Sequence, residues 1–191
     1  MTPEEVLAFW FASPPGAEDY GRMRELWFEK DPSFDEAVRR ILGPAHEAAC
    51  AGVLDGWVAS VRGSLALVIL LDQVPRNLFR GEARAYAYDG EARATASAAI
   101  AQGFDRALLP AERMFLYLPF EHSEALADQE RALELFAALE AFPETRGISE
   151  NARRHAEIIR RFGRFPHRNR ALGRADTAEE AAFLKEPGSA F

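Results

Sequence analysis

Lysine is almost missing from this chain. Lys30 and Lys185 stand against 21 arginines in 191 residues. Many alanines accompany that bias, which fits a GC-rich genome and carries no functional weight. Cysteine is nearly absent too. Cys50 is alone, so no intrachain disulfide can form, as in a reducing cytoplasm. Its small apolar neighbours do nothing to lower a thiol pKa, so Cys50 is expected to fill a helix face rather than attack a substrate. Long apolar runs are missing: Leu65 to Leu71 is far short of a membrane span. The start Met1-Thr2-Pro3-Glu4-Glu5 has no basic region, so no signal peptide is expected and a cytoplasmic location is. Excess positive charge is lacking as well. A net charge of −7 argues against general affinity for nucleic acid or anionic membrane.

No segment alternates apolar and polar residues with β-branched side chains for long. Helix signals dominate instead. Thr2-Pro3-Glu4-Glu5 reads as a capping box with proline at the first helical position. The helix it opens carries Val6, Leu7, Phe9, Trp10 and Phe11, so it is expected to be buried. Ser33-Phe34-Asp35-Glu36 reads as a second box, with an apolar stripe behind it and Gly52 as a stop. By periodicity alone Leu65 to Leu71 could be a buried strand, but its Leu/Ala content and helical surroundings favour a central helix. That helix is expected to end near Val74, since Pro75 disfavours helix at the residue before it. Asp89, Pro110, Ser123, Ser149 and Thr177 are expected to open further helices, and Gly163 to stop one. The class is all-α, with about eight to ten helices in a single domain over 1–191 and a tail frayed after about 185.

The hydrophobic residues, 48% of the chain with 14 Phe and 3 Trp, suffice for a sizeable core. Four polar clusters interrupt it. The first is Asp72, Gln73, Arg76, Asn77 and Arg80, at the exit of the central helix. The second is Glu121, His122, Ser123 and Glu124, where neighbouring carboxylates favour a protonated His122 and Ser123 reads as a cap rather than a nucleophile. His155 is the third, on the apolar face Ala152, Ala156, Ile159; it is either a hydrogen-bonded core histidine or part of a pocket wall. The fourth runs from Arg153 to Arg174, with eight arginines and one acid. That stretch carries a formal +7, leaving −14 for the rest of the chain. It could grip a phosphate or carboxylate, or pair with the chain's own acids. Two strings look alike: Val74-Pro75-Arg76-Asn77-Leu78-Phe79-Arg80-Gly81 and Phe165-Pro166-His167-Arg168-Asn169-Arg170. Proline and glycine would hold the Arg and Asn groups in place, as a site or a structural clamp.

No histidine has a partner at metal-binding helical spacing. No phosphate-cradling glycine loop and no Gly-x-Ser-x-Gly elbow occur. No metal or cofactor is therefore expected.

Several stretches resemble, in order, a bacterial family known as domain of unknown function 924. They are Val6 to Phe11, Trp27 to Asp31, Leu65 to Gly81, Leu118-Pro119-Phe120-Glu121-His122-Ser123-Glu124 and Arg161 to Asn169. The resemblance spans nearly the whole chain. It implies an α-α superhelix like tetratricopeptide-repeat folds, although the usual repeat consensus is not visible. It implies no activity and no catalytic residue.

Three functions remain open. A binding module would present Arg76, Asn77, Arg80, Arg164, His167, Arg168 and Asn169 to an anionic small molecule or an acidic peptide. A purely structural role would have the Arg-Asn turns lock helices together. An enzyme would use His122 or His167 as acid or base, oriented by Glu121 or Glu124. The residues favour them in that order, and leave the oligomeric state open.

Overall fold

A computed structural model describes residues 1–14 and 16–189. The described residues form helices and turns, with no strand. Helix α1 (Pro3–Trp10) opens on the expected box: the Thr2 hydroxyl accepts from the Glu5 amide, and the Thr2 amide donates to the Glu5 carboxylate. Val6, Leu7 and Trp10 are buried, and Phe11 follows them into the core. Trp10, Phe11 and Trp27 all meet Phe115 edge-on, with ring centres 5.5, 5.7 and 4.8 Å away. That geometry suits the aromatic quadrupole and joins the N-terminal segment to the molecule's centre.

Helix α2 (Pro32–Cys50) starts earlier than the Ser33 box implies. Asp31 is its cap, accepting from the Ser33 and Phe34 amides at 2.7 and 2.9 Å, and Pro32 takes the first position. Proline needs no amide partner there, so the Asp-Pro pair prevails over Ser33. Cys50 ends the helix half-buried, 3.6 Å from the His46 ring, with burial pushing its thiol pKa up.

The central segment is one continuous buried rod. Helix α3 (Val61–Val68) passes through a π turn at Ile69–Gln73 into α4 (Val74–Leu78). The expected stop near Val74 does not occur. Val74 keeps helical angles, φ −54 and ψ −47, and its amide donates to the Ile69 carbonyl five residues back. In a regular α-helix the Pro75 ring would press on the carbonyl four residues earlier and leave it without its donor. The wider turn changes which carbonyls meet the proline, so the rod continues. Leu65, Ala66, Val68, Ile69, Leu70 and Val74 are fully buried along it.

Around this rod, α1 and then α5 (Asp89–Ala101) pack on α3, while α2 packs on the π turn and α4. Helices α5, α6 (Pro110–Glu121), α7 (Leu126–Leu139) and α8 (Ser149–Phe162) then pack in chain order, each on the next. Ser123 does not cap α7: the helix follows an extended Ala125, and the Ser123 hydroxyl accepts the Ala125 amide and donates to Asp128. Asp89 is likewise no cap but the first residue of α5, its carboxylate turned elsewhere. Gly163 stops α8 with φ +68, a left-handed angle that glycine adopts without strain. Helix α9 (Ala178–Phe183) opens on the Thr177 box. In the tail, Arg154 donates to the Gly188 carbonyl and Ser189 to Leu184. Residues 190 and 191 lie outside the described residues.

Candidate functional site

The π turn, α4, the end of α6, α8 and the short turn Pro166–Arg168 surround a cavity of about 530 Å³. Trp27 to Lys30 contribute a further wall. The size lies within the range of small-molecule sites.

Asp72 is the buried centre behind this cavity, with no exposed surface. Its Oδ1 lies 2.8 Å from His122 Nδ1 and 3.3 Å from Arg76 Nη1, and its Oδ2 accepts from the Gln73 amide at 2.5 Å. Burial works against the charge, but Arg76 and His122 outweigh it and hold the carboxyl below its ordinary pKa. A carboxylate only accepts, so His122 Nδ1 carries the proton and Nε2 is left as the basic nitrogen. Burial, helped by Arg76, lowers the His122 pKa and leaves it neutral at pH 7. The protonated His122 expected from its sequence neighbours is thus overruled by desolvation.

Arg76 also donates to the Asp72 carbonyl and, through both terminal nitrogens, to Asp89 at 3.0 Å each. Arg168 reaches the same Asp89 oxygen from the second turn, at 3.4 Å. Its guanidinium lies 4.6 Å from the Tyr86 ring centre and 4.5 Å from that of Phe165. Burial, with Arg76 beside it, pushes Arg168 down to about 10. Asp89 therefore joins the two Arg-Asn strings.

On the α6–α8 side, Glu121 is 3% exposed, and burial together with the Asp72 charge raises it to about 8. Its Oε1 is 3.2 Å from His155 Nδ1, which also donates to the Asn151 carbonyl at 2.8 Å. Burial lowers His155 to about 3 and His167 to about 4. At pH 7 the carboxylic acid and both imidazoles are neutral.

Of the residues singled out in the sequence, Gln73, Arg76, Asn77, Arg80, Glu121, His122, His155, His167 and Arg168 line this one cavity, with Asp72 behind them. Asn77 and Arg80 do so while both hold Asp35 of α2. Glu124, Arg164 and Asn169 lie outside the lining. Glu124 accepts from the Phe165 amide and Arg174, Arg164 grips Glu180 at 2.6 and 2.7 Å, and Asn169 donates to Asp176. These three anchor the C-terminal turn from behind. Sequence reading missed Tyr86, Asp89 and Asn151. No local pattern marks them, because Tyr86 and Asp89 gain their roles from residues distant in the chain and Asn151 acts through its backbone carbonyl. Among the described residues no group of three or more His, Cys, Asp or Glu is arranged to hold a metal, and no helix is long and apolar enough to cross a membrane.

The fold and cavity define an all-α protein with a cavity lined by side chains of both charge signs. The chain belongs to the bacterial DUF924 family of proteins of unknown function, whose profile matches residues 6–188. A solved structure of a protein of unknown function from Agrobacterium tumefaciens is similar to it, with 41% identity, 96% of each chain covered and a TM-score of 0.83. No curated protein matches the chain.

Proposed function

We propose that the protein binds a small organic anion in this cavity, with Arg168 as the anchor. The observation that carries this reading is how weakly a buried guanidinium is satisfied. Arg168 is 6% exposed, its Nε has no hydrogen-bond partner among the described residues, and its bond to Asp89 is 3.4 Å long. Buried charge in that condition is costly, and an anion supplied from the cavity would offset the cost. Arg76 differs, since Asp72 and Asp89 already engage it. The neutral state of Glu121 also helps, because it keeps one more negative charge out of the site. A cavity of about 530 Å³, the size of small-molecule sites, favours a small molecule over an acidic peptide. The ion pairs Arg80–Asp35, Arg164–Glu180 and Arg174–Glu124 support a structural role for those arginines.

The test is thermal unfolding with phosphate, acetate, succinate and pyruvate at matched ionic strength. At least one of them is expected to raise Tm above a chloride control. Saturation at 100 times Kd corresponds to about 2.7 kcal/mol. Arg168→Ala should abolish the rise. A rise that persists in that variant, or none in the native protein, ends the proposal.

A further inference from the structure

Beyond binding, we infer that the cavity performs proton transfer: His122 Nε2 removes a proton from the carbon beside the carbonyl of a small 2-oxo carboxylate. The inference rests on the anion site proposed above and adds a reaction to it.

Three features of the geometry support a base here. His122 lines the cavity, and the Nδ1–H···Oδ1 contact of 2.8 Å to Asp72 fixes both its ring and its tautomer. Asp72 is itself fixed by Gln73 and Arg76, so the base rests on a buried, immobile support. Among the described residues no serine, threonine or cysteine lines the cavity. With no such side chain to activate, we assign the base to a proton of the ligand itself rather than to a solvent water, and the exchange experiment below separates the two. The charged and titratable groups around His122 are Asp72 from the π turn, Arg76 from α4 and Asp89 from α5, with His155 and His167 from α8 and the turn behind it. At pH 7 the imidazole is neutral and able to accept.

The step balances without a co-reactant. The substrate C–H bond breaks, and its proton goes to His122 Nε2. The electron pair forms a C=C bond, and the carbonyl π pair moves to oxygen as an enolate. Arg76 and Arg168 provide the positive field that stabilises it. The imidazolium then returns a proton to carbon, which in D2O is a deuteron after exchange. His122 is the catalytic residue and Asp72 a positioning residue.

The experiment follows loss of the pyruvate methyl proton signal by NMR in D2O, alongside the Tm rise that pyruvate causes. The native protein is expected to exchange the methyl protons faster than buffer. His122→Gln should lower that rate about 100-fold or more while keeping the pyruvate Tm rise. Asp72→Asn should lower it too and shift the acid limb of its pH profile. A Tm rise with exchange at the buffer rate overturns this inference and leaves the anion site standing. Absence of both overturns the anion site and the inference with it. Undiminished exchange in His122→Gln overturns the assignment of the base. Should that variant fail to fold, the native pH profile decides. The rate should rise as His122 loses its proton and fall above about pH 8, where Glu121 ionises; a flat profile overturns the inference.

Discussion

Glu121 and His155 form a buried pair in which neither partner is charged at pH 7, and this sets a pH dependence with a definite sign. Glu121 keeps its proton in the folded state up to about 8, against an ordinary 4.5. The unfolded chain therefore releases that proton first, and stability falls as pH rises from about 4.5 to 8. His155 and His167 titrate near 3 and 4 when folded, against 6.5. The unfolded chain takes up those protons first, so their contribution is full above 6.5 and lost as pH falls. Between 4.5 and 6.5 these two histidines, with His46 and His122, whose pKa values burial also lowers, oppose one carboxyl, so net stability drops toward acid. Chemical denaturation across pH should show a maximum near 6.5. In Glu121→Gln the decline from 6.5 to 8 should vanish while the acid side remains. At this scale most of the polar groups that line the cavity were already conspicuous in the sequence, because Arg, His and Glu crowded into short Pro-containing strings stand out against apolar helices. It could not reveal their protonation, which depends on burial.

Among elements, the central rod departs most from expectation. Pro75 reads as a helix end, yet the π turn at Ile69–Gln73 carries the backbone through it. The turn also rotates Gln73 and Arg76 onto the cavity side, with Asp72 directly behind. At its other end, α3 runs close beneath the preceding turn. A Cβ at Gly63 would collide with the Trp57 carbonyl oxygen. That atom is backbone and cannot swing aside. Gly63→Ala should therefore cost about 1–3 kcal/mol, measured by denaturant unfolding. Helix existence was readable from period and caps in most elements, but in the central run only from composition and surroundings, and the rod's continuity was not readable at all: a π turn has no composition of its own. The shift of the α2 start from Ser33 to Asp31 has a plainer cause, since two good caps lay side by side.

Across the whole molecule, the cavity exists only because segments far apart in the chain are brought together. Glu124, after α6, accepts from the Phe165 amide and from Arg174, and so holds the turn that presents His167 and Arg168. Glu124→Ala should loosen that turn without unfolding the main core, which is built from Val6 through Ala152. The expected outcome is a stability loss of about 1–3 kcal/mol and a weakened or absent anion-dependent Tm rise. A rise equal to the native one would show that the clamp does not position Arg168.

The amino-acid sequence by itself determined the helical class, most helix starts and stops, and the short strings from which a site would come. These follow from local forces: capping, proline and glycine geometry, and the 3.6-residue period of apolar side chains. Only the tertiary structure decided that the two Arg-Asn strings face one cavity through Asp89, that Glu124, Arg164 and Asn169 stay behind its wall, and that Arg168 is left weakly paired. The two arginines meet Asp89 across separations of 13 and 79 residues. Local sequence carries no signal for a partner at that range, and desolvation then keeps Glu121, His122, His155 and His167 neutral.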